Sequence, residues 1–175
     1  DCTFALKDNE AVGFVLPVYS WAPPKIIIDF IGRLKLENYR GQYLFMVCTC
    51  GDDAGLTRQV FATAIERRGW RVDSAFSIRM PNTYVCLPGF DVDKPERRAE
   101  KLHRAQDRLQ FISEQILQKA RDRYDVVEGA WPWLKTRVLY PFFQRFSITD
   151  KPFRSTERCI GCEICQRACP VGNIR

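Results

Sequence analysis

The chain reads Ala11-Val-Gly-Phe-Val-Leu-Pro-Val-Tyr19 near its start, a near-continuous apolar run. A strand covered on both faces of a parallel sheet has this composition. Ser20-Trp-Ala-Pro-Pro24 follows as a loop, and Pro24 suits the first turn of a helix, where its missing N–H costs nothing. Ile27, Ile31 and Leu34 then recur at helical spacing, with Phe30 beside them. A second apolar strand, Tyr43-Leu-Phe-Met-Val-Cys48, runs into the loop Thr49-Cys-Gly-Asp-Asp-Ala-Gly55. Asp52 or Asp53 is the expected N-cap of the next helix. Its stripe is Leu56, Val60, Ala64 and Ile65, and Gly69 suits its end.

Val72, Ser74, Phe76, Ile78 and Met80 alternate with more polar neighbours, which predicts a strand with one wetter face near a sheet edge. An irregular stretch spans 81–93. Residues 94–125 read as one long helix with the stripe Leu102, Leu109, Ile112, Ile116 and Ala120. His103, the single histidine, has no metal-spaced partner and reads as a surface or packing residue. Alternation of strand and helix predicts an α/β layer architecture with right-handed crossovers. Ligands of such sheets bind beyond the carboxyl ends of the strands, here the loops 17–24 and 49–55.

Residues 129–153 are rich in aromatics: Trp131, Trp133, Tyr140, Phe142, Phe143, Phe146 and Phe153. Basic neighbours would suit a helix on a membrane surface. Pro132 and Pro141 break the stripe, so a connecting segment packed on the body is expected. The predicted organisation is a body over 1–128, this connector over 129–153, and a metal-binding segment over 154–175.

The last segment reads Cys159-Ile-Gly-Cys162-Glu-Ile-Cys165-Gln-Arg-Ala-Cys169-Pro170. It is the C-x2-C-x2-C-x3-C-P run that holds iron–sulfur clusters in bacterial ferredoxins. Soft thiolates select iron–sulfur clusters, zinc or copper(I). Zinc sites usually pair two knuckles across a dozen or more residues, or combine Cys with His. Four thiols within one short run favour a 4Fe–4S cluster on Cys159, Cys162, Cys165 and Cys169. In two-cluster ferredoxins the fourth cysteine serves the other cluster, so Cys169 either closes this site or awaits a second one. Cys48 reads as a small buried hydrophobe, Cys50 as a loop thiol that could react, and Cys2 and Cys86 as unassigned to metal.

With these cysteines, the loops give the chain its resemblance. Gly13-Phe-Val-Leu-Pro-Val-Tyr-Ser-Trp21, Thr49-Cys-Gly-Asp-Asp-Ala-Gly55, Met80-Pro-Asn-Thr-Tyr-Val85 and Leu87-Pro-Gly-Phe-Asp-Val-Asp93 resemble bacterial fusions of a flavodoxin-like FMN domain with a two-cluster 4Fe–4S ferredoxin domain. The resemblance implies a partial flavodoxin-like three-layer domain that keeps parallel strands 3-4-5, then a small ferredoxin-like segment. It implies FMN contacts from Pro17, Val18, Tyr19, Ser20 and Trp21, with Tyr19 and Trp21 against the isoalloxazine ring. It also implies that Thr49, Cys50, Gly51 and Asp52 present N–H groups to the flavin's polar edge. The alternative for Tyr19 and Trp21 is a strand-end core role. Residues 1–11 lack the Ser/Thr/Gly-rich loop that cradles the FMN phosphate. Both ends of the chain read as cut, so iron with sulfide and no flavin is expected.

The net charge of +6 comes from positive residues interleaved with acids, which points to solvated helix faces and to no nucleic-acid partner. No run is long enough to span a membrane. Eight cysteines in a core-rich chain that needs thiolates fit a reducing cytoplasm better than a secreted disulfide scaffold. The function read here is electron transfer through the cluster, coupled to FMN in a complete protein, with redox proteins as partners. The rivals are a flavin-dependent reductase that uses the cluster as relay, and a structural zinc knuckle. No paired carboxylates, nucleophile–base pair or phosphate-binding loop argues for other catalysis, so a carrier is favoured over a substrate-specific enzyme.

Overall fold

A computed structural model describes residues 2–85, 91–146, 154–170 and 172–174. Its centre is a parallel sheet in the order β2 (Val12–Pro17), β4 (Leu44–Cys50), β5 (Ser74–Arg79) and β6 (Arg123–Asp125). Phe14 pairs with Met46, Val47 with Phe76, and Ala75 with Tyr124. A separate parallel pair joins β1 (Thr3–Ala5) to β3 (Lys35–Glu37).

Helices cover both faces of the larger sheet, which makes three layers. On one face α1 (Lys25–Arg33) and α2 (Thr57–Glu66) bring Ile31, Phe61 and Ile65 against Phe14, Leu16, Met46, Cys48 and Ala75. On the other, α3 (Pro95–Leu117) sets Ile112, with Ala105, Phe111 and Ile116, against Val47, Phe76 and Ile78. Alternation along β4 divides the two cores: Met46 and Cys48 point one way, Phe45 and Val47 the other.

The expected parallel α/β layers are present, with several differences of detail. β2 is covered on one face only: Phe14 and Leu16 are buried and Val15 is 74% exposed. Its edge position is the one implied by keeping only strands 3-4-5, and α3 packs over β5. β5, expected near an edge, is interior and buried from Ser74 to Ile78, because β6 adds beyond it. Its polar residues are bonded rather than wet. Ser74 Oγ meets Tyr43 OH, and Ser77 Oγ accepts from Val127 N at 2.9 Å.

The long helix stops at Leu117 instead of 125. Lys119 N bonds to Ile116 O and Ala120 N to Gln115 O, a Schellman end with Lys119 at φ 49. Lysine at this left-handed position hides the stop that glycine would have signalled. The buried side of α3 is also rotated from the expected stripe. Lys101 and Ile112 are buried, while Leu102 and Leu109 face solvent. α2 begins at Thr57 behind Leu56, with no side-chain cap, so neither Asp52 nor Asp53 is its N-cap.

The aromatic connector is helical through its prolines. α4 (Pro132–Leu134), a π-helical turn (Lys135–Leu139) and α5 (Tyr140–Phe146) follow one another without a break. Pro132 takes the first helical position. The wider turn, closed by Tyr140 N to Lys135 O, precedes Pro141, whose ring would clash with the preceding turn of a regular α-helix. The rest of the connector, including Phe153, lies outside the described residues, as do Cys86 and residues 87–90 of one resembling stretch.

Because Ile112 is 1% exposed, Ile112→Ala is expected to lower stability by about 2–5 kcal/mol. Leu109→Ala should cost about 0.5 kcal/mol or less. Urea midpoints of the two variants check the helix face, and equal losses would restore the stripe read from sequence.

Candidate metal centre

The cysteine segment is a turn followed by a short helix. Cys159 N closes a turn onto Thr156 O at 2.9 Å. Gly161 has φ +68, with open space where a Cβ would stand, so glycine serves the backbone hand there and not a close contact. Glu163, at φ 57, opens α6 (Ile164–Ala168), which carries Cys165; Cys169 follows in extended conformation. Arg167 donates to Cys162 O at 2.8 Å. Asn173 N donates to Cys169 Sγ at 3.3 Å, a polar contact of the kind that tunes cluster potentials.

Cys159, Cys162 and Cys165 are exposed and Cys169 is half-buried. Among the described residues, no three His, Cys, Asp or Glu side chains are gathered closely enough to hold a metal ion. In kind the donor set fits an iron–sulfur cluster: four soft thiols, a left-handed glycine between the first two, and an N–H aimed at the fourth. Formation of such a site is coupled to metal binding, which supplies the energy that gathers the ligands.

The two loops assigned to flavin lie side by side at the carboxyl ends of β2 and β4. Pro17 pairs with Thr49, and Val18 N donates to Thr49 O at 2.8 Å. Tyr19 and Ala22 exchange backbone hydrogen bonds around Ser20 and Trp21, whose φ values of 50 and 64 are those of a tight primed turn. Tyr19 is exposed, but Trp21 is tied into the fold. Its carbonyl accepts from Thr136 Oγ1 at 2.8 Å, and its ring lies under the Lys135 ammonium at 5.5 Å.

The connector helix is the element docked on these loops. Thr136 Oγ1 also accepts from Leu56 N, Tyr140 OH donates to Pro23 O, and Lys135 Nζ pairs with Asp53 Oδ2 at 2.6 Å. Beside Gly51, a Cβ would stand 1.7 Å from Asn82 Oδ1. Asn82 in turn donates to Asp52 Oδ2 at 3.0 Å. The chain's own side chains therefore fill the ground around Trp21 and Gly51, and this arrangement does not fit FMN. Sequence reasoning missed Lys135, Thr136 and Tyr140, since no periodic signal marks a helix that docks through three polar groups.

Asp52 is the hub of a charged cluster facing a cleft of about 630 Å³. Lys101 Nζ reaches Asp52 Oδ1 at 3.1 Å and Asp93 Oδ2 at 2.6 Å; Arg97 reaches Asp52 Oδ1 at 2.7 Å. Burial would raise the Asp52 carboxyl, but the Asn82 amide, Lys101 and Arg97 outweigh it and hold it below the usual carboxylate range. Asp93 is held low by Lys101 first and then by the Asn82 N–H, against desolvation. Cys50, the candidate reactive thiol, is buried beside this cluster. Desolvation, reinforced by Asp53, pushes it up to about 11, so it is an inert thiol at neutral pH. Cys48 is a buried hydrophobe as expected, pushed up to about 12 by desolvation.

Comparison with known families gives one match: residues 152–175 match the family described as a 4Fe-4S binding domain. The match does not extend into the α/β body. No curated protein and no solved structure matches the chain. The final segment therefore carries the signature of iron–sulfur binding, while the flavodoxin likeness of the body and its FMN find no support among these comparisons.

Asp52 and Asp93 have lower pKa values folded than unfolded. Their contribution to stability is full above the unfolded value, near pH 4, and disappears as pH falls through the folded values. In Asp93→Asn, the loss of urea resistance between about pH 5 and pH 2 is expected to be shallower than in the parent chain. An unchanged slope would mean that the Lys101 pair does not couple folding to pH.

Proposed function

We propose that this is an electron-transfer protein that works through a 4Fe–4S cluster held by its C-terminal cysteines. The observation that carries the reading is the coincidence of the Cys159–Pro170 spacing with the matched iron–sulfur segment. A 4Fe–4S cluster supplies one-electron transfer at a potential set by its surroundings. Cys159, Cys162 and Cys165 would be three of its ligands and Cys169 the fourth. Gly161 lets the backbone reverse between the first two thiols, and α6 sets Cys165 one short helix before Cys169. The Asn173 N–H at Cys169 Sγ would stabilise negative charge on that sulfur. Exposure of this segment leaves short transfer distances to a redox partner protein, which makes a carrier the better reading than an enzyme with its own substrate.

The flavodoxin-like reading of the body is supported by its parallel strands β2, β4 and β5 and by the adjacency of the loops 17–21 and 49–52. Coupling to FMN rests on the resemblance alone, and the docking of Thr136 on Trp21 and of Asn82 over Gly51 argues against a flavin there. The cytoplasm is proposed as the compartment because cluster ligands must stay reduced.

After anaerobic purification and reconstitution, the chain is expected to hold iron and acid-labile sulfide in equal amounts, with broad visible absorbance bleached by dithionite. Cys162→Ala should lose most of the iron and colour, and Cys50→Ala should keep both. A colourless protein with stoichiometric zinc would overturn the reading in favour of a structural knuckle. Stoichiometric FMN would restore the flavin site.

A further inference from the structure

The helix from Pro132 to Phe146 is docked on one side only. Thr136 is buried, with Lys135 and Tyr140 flanking it on the body. Away from the body, Trp131 is 74% exposed, and Trp133, Phe142 and Phe146 are each exposed by 60% or more. Val138 and Leu139 lie between them, also exposed. Single exposed hydrophobes need no explanation, but four exposed rings on one short helix and its N-cap do. Trp131 stands at the N-cap at φ 55, a left-handed backbone that a bulky side chain rarely adopts. Strain of this kind persists where a side chain's placement matters.

Charge indicates what covers these rings. Between Glu128 and Asp150 the sequence holds no acidic residue, only Lys135, Arg137 and Arg145. Lys135 is used by Asp53, while Arg137 and Arg145 are exposed among the rings. The Arg145 guanidinium lies 5.6 Å over the Phe146 ring, and the Phe142 and Phe146 rings are 4.7 Å apart. A second copy of the chain would bring two such faces together, cation to cation, with no carboxylate between them. An anionic lipid surface meets both needs: headgroups for the arginines, and the boundary of the acyl region for the rings. Tryptophan and arginine are the side chains suited to that boundary. The helix is about 22 Å long at 1.5 Å per residue, too short to span the bilayer, and the body on its other side holds it in the surface plane. Among the described residues, no helix is long and apolar enough to cross a membrane.

From this face we infer that the Pro132–Phe146 helix binds the surface of membranes rich in anionic phospholipid. Pro132 opens the helix and the π-helical turn accommodates Pro141, so neither proline interrupts it. The inference is independent of the cluster and stands or falls separately from it.

Co-sedimentation of the full chain with vesicles tests it. Vesicles of equal phosphatidylglycerol and phosphatidylcholine are expected to bind at least tenfold more tightly than phosphatidylcholine alone. Raising salt from 0.1 to 0.5 M should weaken binding several-fold. The double variant Phe142→Ser, Phe146→Ser should lose at least tenfold in affinity at unchanged melting temperature. Arg137→Gln with Arg145→Gln, which leaves the rings in place, should erase the preference for anionic vesicles. No binding to either vesicle, equal binding to both, or binding indifferent to the ring variants would each overturn the inference. So would self-association through the rings in place of vesicle binding.

Discussion

Two neighbouring carboxylates at the end of the central strand hold the rest of the molecule in register. β4 is hydrogen-bonded on both sides and covered on both faces, so its carboxyl end is the most firmly placed point in the body. Asp52 leaves that end toward α3 and gathers Arg97, Lys101 and Asn82. Asp53 leaves it toward the connector and takes Lys135. Loss of Asp52 would leave Lys101 its pair with Asp93, but loss of Asp53 would strand the largely buried Lys135 ammonium away from water. That is more costly than the pair itself is worth. The layers of apolar side chains supply cohesion; these two pairs tie α3 and the connector helix to the end of β4.

This arrangement changes the meaning of the loops at the sheet edge. Carboxyl ends of parallel strands are where α/β proteins place ligands, because loops converge there with unpaired backbone groups. Here those groups are met from within the chain. Leu56 N bonds to Thr136, Ala54 N to Val127 O, and Arg79 to Asp52 O. Trp21, which reads as a flavin-facing ring, is instead the seat of the connector helix. The chemistry at this edge is that of structural docking, and its open remainder is the charged cleft under α3.

The C-terminal segment obeys a different rule. Its identity lies in donor type and spacing, which survive without a packed environment. In the proposed site, the geometry would come from the bound cluster. Four exposed or half-buried thiols on a turn and a five-residue helix have no apolar shell to gather them. The body is the opposite case: most of its buried polar groups are bonded within the chain, Asp53 Oδ1 excepted, and its form follows from burial.

Residue pattern was enough to read the parallel α/β layering, from three long apolar or alternating runs, and the iron–sulfur signature, from four cysteines at fixed spacing. Both are local patterns, readable because strand burial and soft-metal ligation leave their mark on adjacent residues. Tertiary structure alone decided that β5 is interior, since the three residues of β6 that cover it carry no periodic signal. It decided that α3 stops at Leu117 behind a left-handed lysine rather than a glycine, and that Lys101 rather than Leu102 turns inward. The charged pairs that tie α3 and the connector helix to the end of β4 join residues more than 40 positions apart in the chain. Attraction between charges so far apart along the chain leaves no trace in any short window of sequence.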